Sequence, residues 1–146
     1  MDKITVGSGA TLTLTDCSDS GRVQGEVLVN GGKLELYSGT ITGGVQVGKK
    51  GADYQTGSSF TMYGGAITGN EDYGGVFLVG TTNHIDPPSF TMHGGTISDN
   101  TAGASDGGGG VYVGEKCSFT MDGGTITGNT ATAGNGGGIY IPVSYT

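Results

Sequence analysis

Ser59-Phe-Thr-Met-Tyr-Gly-Gly-Ala-Ile-Thr-Gly-Asn70 returns as Ser89-Phe-Thr-Met-His-Gly-Gly-Thr-Ile-Ser-Asp-Asn100 and again as Ser118-Phe-Thr-Met-Asp-Gly-Gly-Thr-Ile-Thr-Gly-Asn129. The anchors Phe60, Phe90 and Phe119 are 30 and 29 residues apart. Self-similarity at such a period marks a repeat architecture. Within each copy Phe and Met lie two apart with Thr between them, and the Ile lies between two small residues. That alternation places successive side chains on opposite faces of a strand, not on a helix face. The Gly-Gly pair between the two strands marks a sharp corner, because glycine enters positive φ freely.

Outward from this core, the copies weaken toward the N-terminus. Leu34-Glu-Leu-Tyr-Ser-Gly-Thr-Ile-Thr-Gly43 is a degenerate copy, and Leu12-Thr-Leu-Thr15 a fainter one. A second apolar element alternates with them: Ile4-Thr-Val6, Val27-Leu-Val29, Val45-Gln-Val47, Val76-Phe-Leu-Val79, Val111-Tyr-Val113 and Ile139-Tyr-Ile141. The fourth of these is one residue longer, so the sequence calls for a bulge or a choice of register there. Strands this short cannot form a stable sheet alone. Winding them into coils lets each pair in parallel with the coils on either side. The expected fold is therefore all-β: a right-handed parallel β-helix of about five to six coils with three short strands each. It forms a single domain over 1–146, with degenerate coils in 1–58 and strong repeats in 59–141. Inward ladders are expected of Phe60, Phe90 and Phe119 and of Ile67, Ile97 and Ile126. Each such buried side chain contributes about 1.5–3 kcal/mol. Asn70, Asn100 and Asn129 form an Asn ladder at a turn, each amide bonding the next coil.

Composition agrees with this and excludes several functions. There are 33 Gly in 146 residues, over three times the usual share of about 7%. Without a three-residue period this is not collagen. The net charge is −7 and no basic stripe appears, so nucleic acid is not an expected partner. No apolar run approaches the ~20 residues of a membrane span. The start, Met1-Asp2-Lys3-Ile4, lacks the apolar stretch of a signal peptide, as expected of a domain cut from a longer chain. Cys17 and Cys117 fall about four coils apart, roughly 19 Å, beyond disulfide reach. Two small buried or half-buried thiols are expected instead.

The pattern Phe-Thr-Met-x-Gly-Gly-Thr-Ile-x-x-Asn, followed by Thr-Ala, a Gly run and Val-Tyr-Val or Ile-Tyr-Ile, resembles the repeats of large bacterial surface proteins. Gly64-Gly65-Ala66-Ile67 also resembles the Gly-Gly-Ala-Ile motif of polymorphic outer membrane adhesins. The Phe-x-x-Asn which that family pairs with it reads Ile67-Thr-Gly-Asn70 here. The resemblance spans 59–141 strongly and 1–58 weakly. It implies an extracellular or cell-surface adhesive β-helix and transfers no catalytic residues.

The residues offer little catalytic chemistry. A polysaccharide-acting β-helix enzyme, the alternative reading, needs converging carboxylates and a basic group for the developing negative charge. The one arginine, Arg22, lies in a weak coil, and the acids scatter through turns. The chain is therefore not expected to be an enzyme. No metal or other cofactor is expected, since His84 and His93 sit in different elements and no Ca²⁺-binding repeat pattern occurs. A second alternative is ice binding by outward Thr pairs such as Thr96-Ile-Ser98 and Thr125-Ile-Thr127, interrupted at Ala66-Ile-Thr68.

The preferred reading is a rigid rod whose loops and aromatics bind a glycan or a host surface protein. The candidate binding residues are Asp53, Tyr54, His84 and Asp86 on two long loops, and Tyr112 and Tyr140 in one outward column. Tyr37 and Tyr63 fall in another, followed by His93 and Asp122. Exposed aromatic faces can stack on sugar rings. The last coil, Gly138-Ile-Tyr-Ile-Pro-Val143, has no polar cap, which calls for further coils of a parent chain or for end-to-end self-association. Pro142 would blunt that edge.

Overall fold

The computed structural model describes residues 2–18, 20–49, 57–80, 86–103, 107–133 and 136–142. These form a parallel β-helix of about six coils, with no helix among them. The first sheet stacks Lys3–Val6, Glu26–Val29, Val45–Val47, Val76–Leu78, Val111–Val113 and Ile139–Tyr140. The second stacks Thr11–Leu14, Lys33–Leu36, Ser59–Met62, Ser89–Met92 and Ser118–Met121. The third stacks Arg22–Val23, Thr40–Ile41, Ala66–Thr68, Thr96–Ser98 and Thr125–Thr127. Two coils carry a fourth short strand beyond the expected three: Thr101–Ala102 pairs in parallel with Thr130–Ala131.

Register follows residue type. Leu12, Leu34, Phe60, Phe90 and Phe119 share one inward column, and Leu14, Leu36, Met62, Met92 and Met121 the next. The Phe60 and Phe90 rings stack with centroids 4.6 Å apart and planes 4° from parallel. Val23, Ile41, Ile67, Ile97 and Ile126 form the column of the third sheet. Every inward residue of the middle coils is buried. The Val76–Val79 element contains no bulge. Val76 and Leu78 pair with Val45 and Val47 on one side and with Val111 and Val113 on the other. Val79 lies past the strand, donating its N–H to Val47 O as Gly48 does to Val29 O.

The Gly-Gly corners divide two tasks. The second glycine takes positive φ (+78° at Gly65, +87° at Gly95, +86° at Gly124), a region other L-residues rarely adopt. The first allows close backbone approach between coils. A Cβ at Gly64 would lie 2.4 Å from Tyr37 O, and one at Gly94 2.5 Å from Tyr63 O.

The Asn column ties coils together, but unequally. Asn100 is fully buried. Its Nδ2 donates to Ile67 O of the preceding coil, to Ser98 O and to Asn129 Oδ1, each at 3.0 Å. Its Oδ1 accepts from the Asn70 N–H at 3.2 Å. Asn129 repeats the pattern, donating to Ile97 O at 2.9 Å. Asn70 departs from the expected ladder: its Nδ2 donates to Gly74 O and its Oδ1 accepts from the Asp72 N–H, both in its own loop. The preceding coil turns this corner in far fewer residues, Ile41 to Val45 against Ile67 to Val76. Asn70 therefore braces its own longer corner.

Both cysteines are free thiols. Cys117 is half-buried and donates its S–H to Val79 O at 3.3 Å. Cys17 is exposed, not the half-buried thiol expected, because it lies in a turn outside the coil wall.

Candidate aromatic binding face

Two aromatic columns run along the outside of the rod. The first occupies the position just after the inward Leu or Met of the second sheet. Tyr37 and Tyr63 stack at 4.5 Å and 14°, and Tyr63 and His93 at 5.3 Å and 24°. His93 Nδ1 meets Asp122 Oδ1 at 2.7 Å. Tyr37 and Tyr63 are about half exposed. Partial desolvation, with the Glu35 charge next, raises the Tyr37 phenol above its usual pKa.

The second column lies on the outer face of the first sheet: Leu28, Gln46, Phe77, Tyr112 and Tyr140 in register. Phe77 and Tyr112 stack at 4.5 Å and 7°, and Tyr112 and Tyr140 meet at 5.8 Å and 43°. Tyr73, from the inserted corner, sets its ring against Phe77 at 6.1 Å and 64°. Hydrogen bonds to the coil above hold that corner: Gly103 N to Asp72 O at 3.0 Å and Thr101 N to Asn70 O at 2.6 Å. Leu28, in the same column, is buried.

Stacking decides which rings can receive a ligand. A ring sandwiched in a column has both faces covered and shows only its edge. Tyr112 lies between Phe77 and Tyr140, so it is not the open stacking platform expected of it. Faces remain only at column ends and interruptions. Phe77 is such a ring, because the next rung down is Gln46.

Of the other expected site residues, Asp53, Tyr54 and His84 lie outside the described residues. Asp86 is exposed at the foot of its loop, where its carbonyl accepts the Gly57 N–H at 3.4 Å. Phe77 and Tyr73 were not expected. The four-residue run Val76–Val79 hid which residue of the strand points outward. The glycine pairs could have resolved it, since Gly43-Gly44, Gly74-Gly75, Gly109-Gly110 and Gly137-Gly138 each immediately precede the strand.

Asp16 caps its own turn, accepting the Ser18 and Gly21 N–H groups, and these bonds lower its pKa. Among the described residues, no three of His, Cys, Asp or Glu are placed to hold a metal ion. No described helix is long and apolar enough to cross a membrane. The outward face of the second sheet carries Ser59-x-Thr61, Ser89-x-Thr91 and Ser118-x-Thr120 in register, a more regular array than that of the third sheet. No family model matches this chain, and the comparisons with curated proteins and with solved structures also found no match.

Proposed function

We propose that this chain is a rigid, non-enzymatic module of an extracellular or cell surface that binds glycans through its outer aromatic columns. The observation that supports this best is the run of half-exposed rings held in register by the coils. A rod whose core ladders fix each outward side chain presents those rings with little conformational entropy left to lose on binding. Aromatic rings bearing polar handles suit sugars, which have apolar ring faces and polar rims. The acidic net charge suits ligands other than polyanions.

A glycan array probed with the purified chain tests the reading. Binding to a defined set of sugars, lost when Phe77 and Tyr37 are both changed to Ala in a variant that keeps its β circular dichroism, is the expected result. A wild type that binds no arrayed glycan overturns it.

A second reading has one observation in its favour, the Ser-x-Thr columns of the second sheet. Parallel rungs about 4.8 Å apart, with outward residues about 6.6 Å apart along each strand, make a flat lattice of hydroxyls and methyls. Ice-crystal shaping by the wild type, lost in Thr91→Tyr, would select ice binding over glycan binding.

A further inference from the structure

The corner between the third and first sheets changes length along the rod. In the first coils it is tight, with Ile41 and Val45 only four positions apart. One coil later Ile67 and Val76 are nine apart, and the added residues overhang the tight corner below. The step leaves a small notch open to solvent. Its wall includes Gly43, Gly44 and Gln46. The Phe77 and Tyr73 rings lie on the overhanging side, and Glu26, Asn70 and Asp72 also line it.

Gln46 stands in the column where the coils above place Phe77, Tyr112 and Tyr140. Its amide Nε2 turns aside to donate to Gly48 O at 3.0 Å. The notch is thus a missing rung of an aromatic ladder. It is bounded by the Phe77 ring and, at 64° to it, by the Tyr73 ring. At the floor of the notch the Asn70 side chain packs against the bare Gly44 backbone. A Cβ at Gly44 would collide with the Asn70 amide.

We propose that this notch seats one pyranose ring free of negative charge, stacked on Phe77 in place of the missing rung. The inference rests on the glycan-binding reading above and specifies its site. Two aromatic planes meeting at a steep angle hold a ring on one face and one edge. The charged side chains lining the notch, Glu26 and Asp72, are both acidic. Lys3 pairs with Glu26 at 3.2 Å from the coil below. Carboxylates accept hydrogen bonds from sugar hydroxyls or an ammonium, and repel uronates and sialic acids.

The test uses the full chain with immobilised oligomers of glucose, glucosamine and galacturonate. Gln46→Tyr supplies the missing rung in a column that already accommodates Tyr at two coils, so it fills the notch without disturbing the core. The expected result is wild-type binding to the glucose or glucosamine oligomers and none to galacturonate. Gln46→Tyr and Phe77→Ala should then weaken binding about tenfold or more. Binding that survives Gln46→Tyr but falls with Tyr37→Ala, on the other column, overturns the notch and leaves the glycan reading standing. Preference for galacturonate overturns the charge argument. Absence of binding to any glycan, on these oligomers and on the array, overturns both.

Discussion

The same four residues, Ser-Phe-Thr-Met, occur in three consecutive coils and meet two different environments. Phe60 and Phe90 are 1% exposed, and Met62 and Met92 are fully buried. In the last copy Phe119 is only partly buried and Met121 is 40% exposed. The strands pair in identical register, so neither local sequence nor backbone explains the contrast. The difference is a coil above. In a solenoid each coil contacts only its neighbours, so a residue's burial is a property of the stack. The first coil shows the same effect, with Ile4 exposed and Leu12 and Leu14 only partly buried. Ile139 and Ile141 leave the other end of the rod apolar.

The sharpest way to break this comparison is to delete the same ring in two coils. Phe90→Ala should cost about 3–5 kcal/mol, because it opens a cavity between two stacked phenylalanines. Phe119→Ala should cost about 1–2 kcal/mol, since one side of that ring is already open. Urea unfolding of both variants checks this, and equal losses would show that the end coil is covered in solution.

A smaller effect separates glycines of one column. A Cβ at Gly75 would lie 2.7 Å from Ile97 Cγ2 and 3.0 Å from Asn100 Nδ2, whereas one at Gly138 meets nothing within 4 Å. Gly75→Ala should therefore destabilise by about 1–3 kcal/mol through overpacking. Gly138→Ala should change stability by less than about 0.5 kcal/mol. The same unfolding measurement reads both, and its outcome sharpens the comparison by showing how closely the Asn column packs on the wall.

The smallest effect concerns reactivity. Burial pushes the Cys117 thiol up to about 11, a backbone hydrogen bond from Gly114 offsetting part of the rise. The thiolate reacts, and at pH 8 only about 10⁻³ of Cys117 is in that form. A thiol reagent at pH 8 should label exposed Cys17 first. It should reach Cys117 only as the pH approaches 11 or the coils open. Equal labelling rates at pH 8 would show that the last coils separate readily.

The aromatic face shows where reading the chain alone fell short. The column of Tyr37, Tyr63, His93 and Asp122 was legible, because each follows its inward Leu or Met at a fixed offset from the Gly-Gly corner. Phe77 was not, since four consecutive apolar residues fit two registers and a one-residue shift exchanges the faces. Tyr73 lies in an inserted corner that has no counterpart in the tight corner of the coil below. Asn70 reads like Asn100 and Asn129, yet its amide bonds a different partner.

By itself the sequence determined the repeat, the period-2 alternation, the inward ladders and the parallel stacking, and hence the β-helix. These follow from local alternation and spacing, which are written in the chain. The tertiary structure alone decided which ring faces stay open, which copies of one motif are buried, and that a tight corner beside a long one leaves a notch. These depend on what the neighbouring coil places alongside, and residues some 30 positions away in the chain supply it.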